Sequence, residues 1–209
     1  MTEWYERIAH SFSFPPKGKV VYFNGVSSSG KTTIAKKLRE KLLENEQLFM
    51  YLSVDDFYEM LTDTSSTQEL LSNIDIETEL PKVFYSFNQV IPGITKGGNN
   101  LIVDNVFHSE FWSKQAVEPI KDEDVLFVGI FCTDEINDER EIARGNRTPG
   151  LAAFQRKETH KHCHYDVKID TCTETTEESV QKILSAMAEW NEKAFPFGGI
   201  KETWEDMQN

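Results

Sequence analysis

The chain has 209 residues, enough for one good-sized domain or two small ones. Its 39% hydrophobic and 27% charged residues are ordinary for a soluble globular protein, and no apolar run nears the roughly 18 residues of a membrane-spanning helix, so no membrane is expected as a partner. A net charge of −13 argues against a general nucleic-acid binder, which needs a basic face, but not against a small nucleotide held by a few local positive groups.

The opening MTEWYERIAH lacks a basic start followed by an apolar core, so no signal peptide is expected and a cytoplasmic protein is the default. PPKGK (15–19) breaks the chain before a first strand, KVVYFN (19–24), rich in β-branched and aromatic residues. Residues 31–44 carry Ile34, Leu38 and Leu42 four apart, widened by Ala35 and Leu43, which predicts an amphipathic helix. LFMYLSV (48–54) predicts a second strand, and DDFYEML the start of a short helix. Residues 61–76 are polar and poorly periodic, as in a loop. Residues 77–95 predict a helix in which Pro81 fits a first turn and Pro92 should end or kink it.

A GGNN turn leads to the third strand (99–107), and VLFVGIFC (125–132) is a fourth whose near-continuous apolar run suits burial on both faces. YDVKIDT (165–171) is a fifth, and a last helix runs from about 176 to 194, its start capped and charged by the acidic TETTEES. The alternation predicts an α/β fold, a mostly parallel five-stranded sheet with helices on both faces. One domain over 1–209 is expected, with a core of about 18–190 and extra segments at both ends. The aromatics of 1–14 and 190–204 could pack on the domain or on a partner.

The chemistry centres on GVSSSGKT, which fits GxxxxGK[ST] between a strand and a helix. A flexible linker would be equally small and polar, but it needs neither the flanking strand nor the helix. A phosphate-binding loop needs both, with small side chains so that backbone N–H groups reach phosphate oxygens at a helix N-terminus. Gly25, Ser27, Ser28, Ser29, Gly30, Lys31, Thr32 and Thr33 are therefore the candidate nucleotide cradle. Lys31 would reach the β/γ-phosphates, and Thr32 would place its hydroxyl on Mg²⁺.

Asp104, ending LIVD, sits where a carboxylate that holds Mg²⁺, directly or through water, belongs, against the plainer reading of a solvated strand end. Asp55 and Asp56 follow the second strand, at the sheet edge where ligands bind. Asp55 is the candidate base for an attacking hydroxyl, and Asp56 is a cap or supporting group. Arg140 and Arg144, four apart, share a helix face, and Arg147 follows a glycine. Together they make a candidate lid that neutralises a transferring phosphoryl group, unless they merely pair with Glu139 or Glu141. HKHCH (160–164) lacks the second ligand group of a zinc site and reads as a polar lead-in to the fifth strand. Cys132, Cys163 and Cys172 have no framework spacing and read as reduced thiols.

FNGVSSSGKT, SVDDF, LIVDNVF, VLFVGIFCTDEINDEREIARGNRTPGLAAFQ and YDVKIDT together resemble the chloramphenicol phosphotransferase-like family of small P-loop kinases, from about residue 18 to 190. The resemblance implies a parallel sheet wrapped by helices and transfer of the ATP γ-phosphoryl group to a small-molecule hydroxyl acceptor. In its terms Asp55 is the base, Lys31 and Thr32 serve the phosphate loop, and Arg140, Arg144 and Arg147 form the lid. The family's third strand tends to end in two aspartates, whereas here the second is Asn105. Residues 57–98, where an acceptor pocket should lie, match only loosely, so the reaction type carries over better than chloramphenicol itself. Two other functions remain open at this level: a toxin-like kinase acting on a nucleotide sugar, and a nucleotide-binding regulator without transfer activity. Oligomeric state is not legible.

Overall fold

The computed structural model describes residues 15–62, 75–145, 150–191 and 197–208. These form five strands, β1 (Val20–Asn24), β2 (Phe49–Ser53), β3 (Asn100–Asn105), β4 (Val125–Phe131) and β5 (Val167–Asp170). All neighbouring strands pair in parallel, in the order β2-β3-β1-β4-β5. The helices are α1 (Lys31–Glu44), α2 (Val54–Thr62), α3 (Ile76–Lys96), α4 (Glu110–Val117), α5 (Asp134–Arg144), α6 (Leu151–Gln155), α7 (Thr176–Ala188) and α8 (Gly199–Asp206).

Alternate residues of each strand face opposite ways, so a strand covered on both sides must be apolar throughout. In β1, Val21 and Phe23 join Ile34, Leu38 and Leu42 of α1 and Val180 and Ile183 of α7. Val20 and Tyr22 point the other way, into a second cluster with Phe87 and Ile91 of α3, Val117 of α4, and Ile200 of α8. Thr175 starts α7 with a reciprocal capping box to Glu178, the role expected of the acidic run.

Pro81 sits in the second turn of α3, not its first, and Pro92 does not end the helix, which continues to Lys96. Phe87 and Ile91 are fully buried against the sheet just before Pro92, and that packing outweighs the one backbone bond that proline removes. The C-terminal aromatic segment also declares itself. Residues 189–191 form a 3-10 turn with Trp190 buried, and α8 packs on β4 and α4. Asp166 fastens α8, since its Oδ1 accepts the N–H of Gly199 (3.0 Å) while its Oδ2 accepts that of Phe127 (2.7 Å). The segment 1–14 lies outside the described residues.

The sheet order puts β1 at the centre, and the chain leaves it first toward β2 and later crosses it to reach β4. The crevice at such a reversal, at the carboxyl ends of the strands, is where α/β sheets bind ligands. No described helix is long and apolar enough to cross a membrane.

Candidate functional site

Asn24, at the end of β1, roots the phosphate loop. Its Nδ2 donates to Thr159 O and to the Tyr165 hydroxyl, both at 2.7 Å, and its Oδ1 accepts the Phe107 N–H at 2.8 Å. Gly25 follows because a Cβ there would lie 2.6 Å from the Ile130 carbonyl oxygen. Ser28 and Gly30 take left-handed backbone angles, φ 61° and 100°, which curl the loop into the start of α1. The Oγ atoms of Ser28 and Ser29 are buried without a hydrogen-bond partner among the described residues. Buried hydroxyls are seldom left so. Ser28 lines the cavity, and its hydroxyl with the N-terminus of α1 makes a donor set that fits phosphate oxygens. Lys31 is buried and folds over the loop, its Nζ donating to Val26 O at 2.8 Å.

Ser27 is held differently. Its N–H donates to Gln155 Oε1 and its carbonyl accepts from Asn137 Nδ2, each at 2.7 Å. Gln155 ends α6 and Asn137 lies in α5, both buried, so the arginine-bearing helix and the helix after it grip one residue of the loop from both sides. Sequence spacing gives no sign of these partners, more than a hundred residues away.

Asp104 lies on β3 beside the loop. Its Oδ2 accepts from the Thr32 hydroxyl (2.7 Å) and from the Tyr51 hydroxyl (3.0 Å). Burial, then the Asp104 charge, hold the Tyr51 phenol well above its ordinary range, so it stays a donor. A carboxylate and a threonine hydroxyl in contact are the oxygen pair that suits Mg²⁺. Asn105 turns away from this pair: its Nδ2 donates to the Tyr22 hydroxyl at 2.6 Å, and its Oδ1 accepts the Val106 N–H at 2.8 Å. The position where the family tends to carry a second aspartate thus serves here as a neutral anchor.

A cavity of about 440 Å³ joins these groups. Around it stand Ser27, Ser28, Gly30, Lys31, Thr32 and Thr33 of the loop, with Asp104. Asp55 is in the first turn of α2, and its N–H donates to Ser53 Oγ at 3.2 Å. Asp56 is exposed in the same turn, favourably placed against the helix dipole. Arg140 and Arg144 of α5 also line it, as do Asn105, Gln155, Thr171 and Glu174. Arg140 donates to Thr171 through Nη1 to Oγ1 (2.9 Å) and Nη2 to the carbonyl (3.0 Å), and Arg144 is exposed. Arg147 lies outside the described residues. Gly25 and Ser29 shape the loop from below.

Glu141, one possible partner of the arginines, does something else. It is buried, and its two oxygens accept the N–H groups of Gly150 and Ala152, each at 2.9 Å. The carboxylate thereby ties α5 to the start of α6. Arg156 adds a second tie, to Asp134, Asp138 and Asn137.

The histidine cluster splits. His160 stacks on Phe131 (4.1 Å between ring centres) and its Nδ1 meets the Tyr165 hydroxyl at 2.7 Å. Burial, then the Lys31 charge, push its pKa down to about 4, so it is neutral at pH 7. His162 and His164 lean toward Asp206 of α8 instead.

A family described as chloramphenicol phosphotransferase-like protein matches residues 18–188. A Mycobacterium tuberculosis protein, provisionally named as an O-phosphotransferase and found in two strains, is 25% identical over 186 residues, covering 80% of this chain and 81% of its own. Among solved structures, the APS kinase of Mycobacterium tuberculosis with AMPPNP and APS superposes with a TM-score of 0.63 at 17% identity, over 83% of this chain and 99% of that one. A gluconokinase from Sinorhizobium meliloti gives 0.56 at 17% identity, over 85% and 95%. At such identities the likeness speaks for the P-loop kinase fold.

Proposed function

Because this chain belongs to the chloramphenicol phosphotransferase-like family, we propose that it is an ATP-dependent kinase that moves the γ-phosphoryl group to a hydroxyl of a small molecule. The observation that carries this reading is the common cavity, which brings Asp55 from β2–α2, Lys31 and Thr32 from the loop, Asp104 from β3 and Arg140 and Arg144 from α5 around one space. In phosphoryl transfer the protein's task is chiefly positioning and charge neutralisation. The loop N–H groups and the Ser28 hydroxyl hold the phosphates. Lys31 swings from Val26 to the β/γ-phosphates. Thr32 and Asp104 would hold Mg²⁺, which would supply charge neutralisation to the phosphates. Asp55 orients the acceptor hydroxyl and takes its proton as the oxygen attacks. Arg140, Arg144 and, in the same segment, Arg147 neutralise the phosphoryl oxygens, and ADP leaves.

The test is incubation with Mg²⁺-ATP and chloramphenicol, followed by mass spectrometry for the drug plus one phosphoryl group, with Asp55→Asn beside the wild type. Loss of a positioned base should lower transfer about 10²- to 10⁴-fold while nucleotide affinity is kept. Full transfer by Asp55→Asn would refute the base assignment. Nucleotide binding without drug phosphorylation would move the acceptor search to other small hydroxyl compounds, nucleotide sugars included. Failure to bind nucleotide would refute the reading as a whole.

A further inference from the structure

Cys132 follows β4 and Cys172 follows β5, the neighbouring strand, and their sulfurs lie 3.1 Å apart. Both residues are half-buried, so small reagents can reach them. Each sulfur also faces a donor. Cys172 Sγ accepts the N–H of Thr133, the N-cap of α5, at 3.2 Å, and Cys132 Sγ accepts Arg140 Nη1 at 3.4 Å. These two contacts fix the sulfurs side by side at the carboxyl ends of neighbouring strands. The third thiol, Cys163, sits in a different setting, against Thr159 O and Asn24, where burial pushes it up to about 11.

From these contacts we propose that Cys132 and Cys172 are a site of reversible oxidation, which takes a low-molecular-weight disulfide as its reagent and closes to an intramolecular disulfide beside Arg140. Closing the pair from 3.1 Å to the roughly 2.05 Å of a disulfide needs about an ångström of movement. Cys172, its sulfur fixed by the Thr133 amide, gives its proton to solvent, attacks one sulfur of the reagent RSSR, forms a Cys172–SR mixed disulfide and releases one RS⁻. Burial, against the Arg140 charge, keeps Cys132 on the thiol side of its usual range, so it follows as the resolving group. Cys132 then gives its proton to solvent, attacks the Cys172 sulfur and expels the second RS⁻. Two protein thiols are oxidised, one RSSR is reduced to two RSH, and the two protons lost by the protein end on the released thiols.

The bond would reach the cavity through Thr171. That residue accepts both Arg140 contacts, donates to Ser29 O at 2.8 Å, and places its Cγ2 3.3 Å from where a Gly30 side chain would begin. Drawing Cys172 toward β4 moves the adjoining Thr171 carbonyl, so Arg140 and the phosphate loop lose a shared anchor.

The folded protein is incubated with oxidised glutathione, quenched, denatured and alkylated. The expected product has lost two hydrogens, one of its three thiols remains alkylatable, and peptide mapping joins Cys132 to Cys172 with Cys163 alkylated. Dithiothreitol should restore all three thiols. Cys132→Ser should instead stop at a glutathione adduct on Cys172. Persistence of three free thiols, or a bridge through Cys163 or between chains, would overturn the assignment. The coupling is read separately, as AMPPNP affinity about tenfold weaker in the oxidised form and restored by reductant. Equal affinity in both forms would refute the route through Thr171. The thiol count needs no nucleotide, so it stands or falls independently of the kinase reading.

Discussion

Glu141 allows a graded test of how the arginine-bearing helix is held. Its two oxygens serve two N–H groups, that of Ala152 in a fully buried bond and that of Gly150 in a partly buried one. Glu141→Ala removes both acceptors and leaves the Ala152 N–H buried and unsatisfied. Hydrogen bonds to charged groups contribute about 1.5–3 kcal/mol each, and partial hydration at Gly150 puts the expected loss near 3 kcal/mol. Glu141→Gln keeps one carbonyl oxygen, which should turn to Ala152, and sets an NH₂ group against the Gly150 N–H. Roughly half of the loss should remain, about 1.5 kcal/mol. For a chain of this size each kcal/mol moves the melting temperature by about 2–4 °C, so the variants should melt about 6–12 °C and 3–6 °C below wild type. Circular dichroism melts at pH 7 measure both. Melting of both variants within a degree of wild type, or equal losses in the two, would refute the reasoning.

Three further outcomes follow from other parts of the molecule. Thr32→Val removes the hydroxyl on Asp104 and should weaken Mg²⁺-dependent AMPPNP binding about tenfold without changing binding in EDTA; isothermal titration with and without Mg²⁺ checks this. Phe87→Ala empties a fully buried position beneath α3 and should cost about 3–5 kcal/mol, seen in urea denaturation, whereas a cost below about 1 kcal/mol would contradict the burial. His160, with a pKa near 4 against 6.5 unfolded, binds its proton more readily in the unfolded chain. Its contribution of about 3 kcal/mol is therefore full above pH 6.5 and lost as pH falls toward 4. Wild type minus His160→Gln stability, measured from pH 7 to 4, should fall across that window, and a flat difference would contradict it.

What the sequence could reveal divides by range. Strands covered on both faces must be apolar along their length, so VVYF and VLFVGIF announced themselves and with them the parallel sheet. The phosphate loop was legible because its chemistry compels small residues between one strand and one helix. Pro92 does not end α3, where the burial of Phe87 and Ile91 outweighs the local rule. Gln155, Asn137 and Tyr51 were missed because each acts on the site through a contact that folding alone creates, with no periodicity to betray it. The same holds for Glu141, which looked like a partner for the arginines and turned out to hold two backbone amides. Asn105 was seen as a departure, but only its bonds to Tyr22 and Val106 explain how a neutral residue is used there.

The central place of β1 bears on how the two sides of the cavity should fluctuate. Every residue of β1 is buried and paired on both edges, so exposing its amides requires opening the sheet on either side. Hydrogen exchange there should approach the free energy of global unfolding, and the loop suspended from Asn24 inherits that slow clock. Helix α5 is bound by a few side-chain contacts and carries Ile142, Ala143 and Arg144 in solvent, so its amides should exchange through local openings at far smaller cost. The cavity thus has one wall that keeps its shape for as long as the protein stays folded and another that can open many times within that lifetime.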